Sequence, residues 1–129
     1  MTPPLQRILC VEDEPDIQAV ARMALELVGG FEVRICSSGD AALRELQVWR
    51  PDMVLLDVMM PGMDGPSTLK ALRALPGLAQ LPVGFMTAKV QPGEVAQYKA
   101  MGALDVIAKP FDPMTLPDQL RSLWERHHA

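Results

Sequence analysis

The sequence predicts an α/β fold, a doubly wound five-stranded parallel sheet flanked by five helices. Five short apolar runs alternate with five helical segments along the chain. The runs are apolar throughout their length, which is typical of strands that are covered on both faces. With 129 residues, 49% hydrophobic and 22% charged, the chain has the size and composition of one globular domain. We therefore expect a single domain over residues 1–129, with its core at residues 6–126.

The first predicted unit is a strand followed by a helix. The apolar run Ile8–Val11 ends abruptly at acidic residues, and Pro15 suits the first position of a helix. Apolar residues then recur at helical spacing, at Ile17, Val20, Ala21, Ala24, Leu25 and Val28. The pair Gly29–Gly30 is expected to end this helix, because glycine commonly occupies the position after a helix.

The second predicted unit repeats this order. Phe31–Cys36 is the strand, and Ser37–Asp40 provides the turn and the helix cap. The buried side of the helix is predicted at Leu43, Leu46 and Trp49. The helix should end before Pro51.

The remaining elements continue the alternation to the end of the chain. Strands are predicted at Met53–Leu56, Pro82–Met86 and Val106–Ala108, and helices at Pro66–Ala74 and Pro92–Met101. The last helix is predicted to be capped by Thr115, with Asp118 three residues further on. Its buried face is predicted at Leu116, Leu120, Leu123 and Trp124.

Charge and cysteine content exclude several classes of function. Lys and Arg number 12 and Asp and Glu 16, and the net charge of −4 argues against direct binding of nucleic acid or of an anionic membrane. No signal-like segment is present, and no apolar run reaches the roughly 18 residues needed to cross a bilayer. We expect a cytoplasmic protein in which Cys10 and Cys36 are free thiols.

The residues that follow each strand are the candidates for a site, because doubly wound sheets bind ligands beyond the carboxyl ends of their strands. They are Glu12 and Asp13 after the first strand, Asp57 after the third, Thr87 after the fourth and Lys109 after the fifth. Three carboxylates so close together repel one another unless a cation lies between them. Mg²⁺ is the implied ion, because a few carboxylates with waters and a phosphate suit its octahedral geometry.

Each of these residues also has an ordinary structural explanation when it is taken alone. Acidic residues after a strand often cap the next helix, and a threonine there is often a turn hydroxyl. Lys109 taken singly is explained as a surface lysine. Asp57 differs, because it ends a fully apolar strand where burial without partners is costly. Joint placement at the ends of four strands favours a site.

Four segments resemble the receiver domain of two-component response regulators: Ile8–Glu14, Val54–Gly65, Phe85–Ala88 and Ala108–Phe111. The resemblance extends over nearly the whole chain, and the aspartate loop together with the other three segments in order is specific. It implies a flavodoxin-like fold with strand order 2-1-3-4-5. It also implies that Pro110 follows a cis peptide bond.

The resemblance implies a role for each strand-end residue. Asp57 is similar to the phosphoacceptor, which attacks the phosphohistidine of a histidine kinase or phosphotransfer protein. The implied Mg²⁺ ligands are Asp13, Asp57 and the backbone carbonyl of Met59, with Glu12 acting through water. The implied phosphoryl-binding groups are the Lys109 ammonium and the Thr87 hydroxyl.

One position departs from the family's pattern. The family places an aromatic residue three positions before the lysine, where its ring swings as the threonine loop moves, and this sequence has Val106 there. A β-branched side chain cannot swing in this way. Tyr98, on the fourth predicted helix, is interpreted as a half-exposed interface tyrosine. Lys89 flanks the site two residues after the threonine.

The favoured function is a phosphorylation-controlled signalling switch rather than an enzyme, with no activity expected beyond turnover of its own phosphoryl group. A kinase or phosphotransfer protein is expected over the Asp57 edge, through the first helix. A downstream target, a separate output domain or a second receiver is expected on the face around Lys99, Val106 and Leu120. Whether phosphorylation drives homodimerisation is left open.

Two other functions compete with the switch. The first is a receiver that binds its partner constitutively, which Val106 favours. The second is a phosphotransferase or phosphatase for small molecules, which lacks support because no second aspartate lies two residues after Asp57.

Overall fold

The computed structural model describes residues 2–129 as a five-stranded parallel sheet with helices on both faces. The strands are β1 (Arg7–Val11), β2 (Glu32–Cys36), β3 (Met53–Asp57), β4 (Val83–Thr87) and β5 (Val106–Ala108). Their order in the sheet is β2-β1-β3-β4-β5, and every neighbouring pair is parallel. The predicted fold class and strand order are therefore confirmed.

The helices follow the strands in strict alternation. They are α1 (Pro15–Arg22), which continues as a π-helical segment (Met23–Val28), α2 (Gly39–Glu45), α3 (Gly65–Arg73), α4 (Pro92–Ala100) and α5 (Leu116–His127). As predicted, Pro15 is the first residue of α1. Ser38 caps α2, since its side chain accepts a hydrogen bond from the Ala41 N–H.

The sheet divides the core into two apolar clusters. In β1, Ile8 and Cys10 point to the cluster that is covered by α1 and α5, whereas Leu9 and Val11 point to the cluster under α2 and α3. All five residues of β3 are buried. A strand with both faces covered has to be apolar throughout, which is why the sequence showed continuous apolar runs.

The first helix differs from the prediction of one regular helix up to Val28. Its last turns are π-helical, and the Gly29 N–H donates to the Ala24 carbonyl five residues back. Ala24 and Leu25 of this segment are buried, whereas Val28, which the helical pattern placed on the same face, is 39% exposed. A Cβ on Gly29 would lie 2.8 Å from the Leu25 backbone oxygen, so glycine permits this close approach.

The start of α5 also differs from the prediction. Thr115 was expected to cap the helix, but it has helical backbone angles and its side chain makes no capping bond. Its N–H is taken up by the Asp112 carbonyl at 3.1 Å, because a turn precedes the helix. Asp112 supplies the side-chain acceptor of this turn, receiving the Met114 N–H at 2.9 Å.

Leu120 of α5 is fully buried in the core. The sequence correctly placed it on the buried face of the last helix, and this placement excludes it from the partner-binding face to which it was also assigned. Within residues 2–129, no helix is long and apolar enough to cross a membrane. Cys10 and Cys36 are both free thiols.

Candidate functional site

The candidate site lies at the carboxyl edge of the sheet, where β1, β3, β4 and β5 end. Asp57 and Thr87 are the last residues of β3 and β4, and both are buried. Glu12 directly follows β1, is fully buried, and donates its N–H to the Cys36 carbonyl at 3.0 Å. Parallel strands that end at one edge bring residues far apart in the sequence into one place.

Lys109 connects two of the carboxylates. Its Nζ lies 3.0 Å from Oε2 of Glu12 and 3.3 Å from Oδ1 of Asp57, and its side chain is only 12% exposed. The Lys109 N–H donates to the Thr87 carbonyl at 2.9 Å, which holds the end of β5 against the end of β4. The peptide bond between Lys109 and Pro110 is cis, as the resemblance implied.

Three carboxylates converge beside this ammonium group. One oxygen from each of Glu12, Asp13 and Asp57 lies within 4.8 Å of the others. Oδ1 of Asp13 is buried without a hydrogen-bond partner among the described residues. A single ammonium group leaves this cluster with excess negative charge, and an oxygen set of this kind matches the ligands of a hard divalent cation.

Burial and charge shift the pKa values of these groups in opposing ways. Burial raises the pKa of Asp57, and the charge and hydrogen bond of Lys109 offset this only in part. Burial likewise raises the pKa of Glu12 against the hydrogen bond from Lys109. Burial lowers the pKa of Lys109, but the hydrogen bond to Glu12 and the charge of Asp57 outweigh it and leave that pKa raised. The positive charge of Lys109 is therefore too small to offset the burial of Glu12 and Asp57.

Thr87 presents its side chain to the same site. Its hydroxyl oxygen accepts the Lys89 N–H at 3.2 Å, an interaction that leaves the hydroxyl proton free. Thr87, Asp57 and Lys109 line one cavity of about 880 Å³. Met59 donates its N–H to Oδ1 of Asp57 at 3.4 Å, while its side chain is 75% exposed. The ligand role of the Met59 carbonyl stays a prediction.

The rest of the cavity wall was predicted only in part from the sequence. The charged end opens into an apolar wall that α1, α4 and the loops after β3, β4 and β5 provide together. Its residues are Ile17, Val20, Val58, Met59, Ala88, Tyr98, Pro110 and Phe111. The wall residues from the loops lie in the segments that carry the family resemblance. Ile17, Val20 and Tyr98 come from α1 and α4, and no local pattern marks them as part of the site.

Two further residues support the site without having been predicted. The Gln18 amide nitrogen donates to the Glu12 carbonyl and, at 3.1 Å, to the Ser37 hydroxyl, which ties α1 to the loops after β1 and β2. A Cβ on Gly65 would lie 2.5 Å from the backbone oxygen of Asp57, so α3 begins against the end of β3 only because this residue is glycine. The Asp57–Gly65 spacing in the aspartate loop was the available signal for Gly65.

The fold and the acidic strand-end cluster with its lysine define a receiver-like signalling domain. The sequence profile described as "Response regulator receiver domain" matches residues 8–121. The chain therefore belongs to the response regulator receiver family.

Two curated relatives are similar in sequence to nearly the whole of this chain. The DNA-binding response regulator MtrA of Mycolicibacterium smegmatis is 36% identical over 122 residues, which are 95% of this chain and 52% of that protein. The phosphate regulon transcriptional regulatory protein PhoB of Rhizobium meliloti is 35% identical, over 95% of this chain and 53% of that protein. The chain thus spans about half the length of these relatives.

Solved structures agree with the fold. The chemotaxis response regulator CheY4 of Vibrio cholerae superposes with a TM-score of 0.86 at 31% identity, over 92% of this chain and 98% of that chain. The N-terminal domain of a response regulator receiver protein from Methanoculleus marisnigri gives a TM-score of 0.74 at 37% identity, over 93% and 94% of the two chains.

Proposed function

We propose that this domain is a phosphorylation switch in which Asp57 accepts a phosphoryl group from a phosphohistidine in a reaction that depends on Mg²⁺. The observation that carries the proposal is the convergence of three carboxylates with the Lys109 ammonium at one buried edge. The donor is a histidine kinase or a histidine phosphotransfer protein, as expected for a two-component receiver.

The proposed reaction forms one bond and breaks another. A carboxylate oxygen of Asp57 attacks phosphorus, an acyl phosphate forms, and the phosphorus–nitrogen bond of the donor breaks as its imidazole takes the electron pair. Asp13, Asp57 and the Met59 carbonyl would hold Mg²⁺, with Glu12 acting through water. When bound, this ion supplies positive charge to the phosphoryl oxygens.

Lys109 and Thr87 are placed to receive the new phosphoryl group. The Lys109 ammonium pairs with an Asp57 oxygen at 3.3 Å before transfer, so a phosphoryl group on that carboxylate lies within its reach. The hydroxyl of Thr87 already accepts the Lys89 N–H, which leaves its proton for a phosphoryl oxygen. Both contacts are strongest once the negative charge has arrived, and they therefore stabilise the phosphorylated state.

Partner binding is proposed on two surfaces. The donor docks over the Asp57 edge, where Ile17 and Val20 of α1 line the apolar wall of the cavity. A downstream protein, an output domain or a second copy uses the face of α4, β5 and α5, on which Lys99 pairs with Asp105 at 3.7 Å. Homodimerisation, the cytoplasmic location and the single-domain boundaries at residues 1–129 stay predictions.

The test is the mass of the intact protein after incubation with acetyl phosphate and Mg²⁺. We expect one phosphoryl adduct, which EDTA and Asp57→Asn both abolish. Asp118→Asn is the matched control, because this carboxylate on α5 is 85% exposed and does not line the cavity that Asp57 lines, and it should keep the adduct. No adduct with acetyl phosphate and none with a phosphorylated kinase would refute the proposal and point to constitutive protein binding.

A further inference from the structure

Tyr98 is a residue of α4, and its ring lies beside the cavity of the proposed phosphoryl site. Its ring is half-buried and lies edge-on to the ring of Phe85, with centroids 4.9 Å apart and an angle of 61° between the planes. The same ring lines the cavity that Asp57 and Thr87 line. It therefore contacts the core on one side and faces open space on the other.

Helix α4 has few other attachments to the fold. None of its residues, Pro92–Ala100, is fully buried. Its ion pair, Lys99 with Asp105, is 3.7 Å long and half-exposed on the lysine side, so it contributes little. Tyr98 packs against the core cluster that lies under α2 and α3. The position of α4 is consequently set in large part by where the Tyr98 ring rests.

Phe85 links this ring to the reacting edge. Phe85 and Thr87 are two residues apart on β4 and so project from the same face of the sheet. A Cβ on Gly65 would lie 3.1 Å from the Phe85 ring and 2.5 Å from the Asp57 backbone oxygen, so the Phe85 ring reaches the start of α3 beside Asp57. A series of neighbouring residues thus leads from Asp57 past Gly65 and Phe85 to Tyr98 on α4.

Val106 provides no such link. It lies opposite Phe85 in the sheet and is half-buried. Its β-branched side chain is restricted at χ1 and has no ring with which to fill or leave the cavity. A shift of the Thr87 loop needs a movable group in order to reach the surface, and Tyr98 is such a group beside an open cavity.

We propose that Tyr98 couples phosphorylation to α4: as Thr87 moves toward the phosphoryl group, the Tyr98 ring turns on Phe85 into the cavity and carries α4 with it. This inference rests on the proposed phosphorylation of Asp57. Burial and the nearby carboxylates of Glu94 and Asp64 raise the pKa of Tyr98, so the ring moves as a neutral phenol. The coupling gives this domain an output at α4 without an aromatic residue in β5.

The first measurement uses the fact that Tyr98 is the only tyrosine in the chain. Protein labelled with 3-fluorotyrosine gives one fluorine NMR signal, recorded with and without acetyl phosphate and Mg²⁺ while mass spectrometry gives the adduct fraction. We expect a second signal whose share follows the adduct fraction. An adduct without any change in the fluorine signal would overturn the coupling and leave the proposed function standing.

The second measurement tests whether the ring itself moves α4. In wild type, phosphorylation should change hydrogen exchange of the α4 amides by about tenfold, inside the roughly 5–150-fold range usual for allosteric coupling. Tyr98→Phe keeps the ring and should show the same change in hydrogen exchange as wild type. Val95→Ala, a truncation elsewhere on α4, should also show the wild-type change. Tyr98→Leu keeps apolar bulk without a ring and should respond weakly while still forming the adduct.

The outcomes separate the two proposals. A full α4 response in Tyr98→Leu, or loss of the response in Val95→Ala as well, would refute the role of the Tyr98 ring. Absence of the adduct in wild type would refute phosphorylation itself, and the coupling would fall with it. An adduct in all variants, with the α4 response lost only in Tyr98→Leu, would establish the coupling.

Discussion

Replacing Lys109 by Met tests how strongly the buried cluster depends on its ammonium group. Lys109 Nζ lies 3.0 Å and 3.3 Å from two buried carboxylates. Each pair is worth about 5 kcal/mol by Coulomb's law at an effective dielectric constant of about 20. Desolvation of the three groups offsets much of that, and removal of one partner from a buried pair costs about 3–5 kcal/mol. We expect Lys109→Met to lose about 3 kcal/mol of unfolding free energy at pH 7 in EDTA.

The matched control for this experiment is Lys99→Met. Lys99 also pairs with an aspartate, at 3.7 Å, but its side chain is 50% exposed, so the loss should stay below about 1 kcal/mol. Both variants and wild type are measured by urea denaturation. Equal losses in the two variants, or a Lys109→Met protein as stable as wild type, would show that the buried ammonium does not hold the cluster together.

The pH dependence of stability tests the role of the Lys109 ammonium group in a second way. The pKa values of Glu12 and Asp57 are already raised by burial, and loss of the ammonium raises them further. A carboxyl group whose pKa is higher in the folded than in the unfolded state binds more protons when folded, so it stabilises the fold as the pH drops. The difference in unfolding free energy between wild type and Lys109→Met should therefore become smaller below pH 7. Addition of Mg²⁺ at pH 7 should also make this difference smaller. A difference in unfolding free energy that becomes larger on acidification would contradict this predicted direction.

Three further predictions concern single positions. Gly65→Ala should cost about 1–3 kcal/mol and slow the proposed phosphorylation, because its Cβ would lie 2.5 Å from the backbone oxygen of Asp57. Gly93→Ala, in open space on α4, should be neutral or stabilising; denaturation and adduct mass test both variants. Under native conditions a thiol reagent should label Cys36 and spare Cys10, whose burial raises its pKa to about 12, and peptide mapping distinguishes the two. Asp64→Ala should cost about 1 kcal/mol in urea denaturation, since its carboxylate caps α3 by accepting the Ser67 N–H at 2.8 Å.

Each of these predictions has an outcome that contradicts it. Equal behaviour of the two glycine variants would mean that α3 has room beside β3. Fast labelling of Cys10 would mean that β1 opens readily at its buried end. An Asp64→Ala protein as stable as wild type would mean that water caps α3 as well as the carboxylate does.

Local patterns in the sequence were sufficient for the sheet and for the strand-end residues. A strand with both faces covered must be apolar throughout, so β1, β3 and β4 are visible as runs, and the residues at which they end follow directly. Helix ends were less predictable where backbone and side-chain groups compete for the same hydrogen bonds. Ser38 caps α2 as predicted. Thr115 does not cap α5 with its side chain, and a turn that begins at Asp112 precedes that helix.

What the sequence by itself determined is therefore the order of elements, the parallel sheet and the polar residues at its carboxyl edge, since each follows from the apolar runs and their alternation with helical segments. The sequence also predicted that these residues come together, but only the tertiary structure set the individual contacts, such as that between Lys109 and Glu12, which joins positions 97 residues apart. It also set Tyr98 edge-on to Phe85 beside the cavity. Such contacts join side chains from different elements of the fold, and no pattern of adjacent residues encodes them.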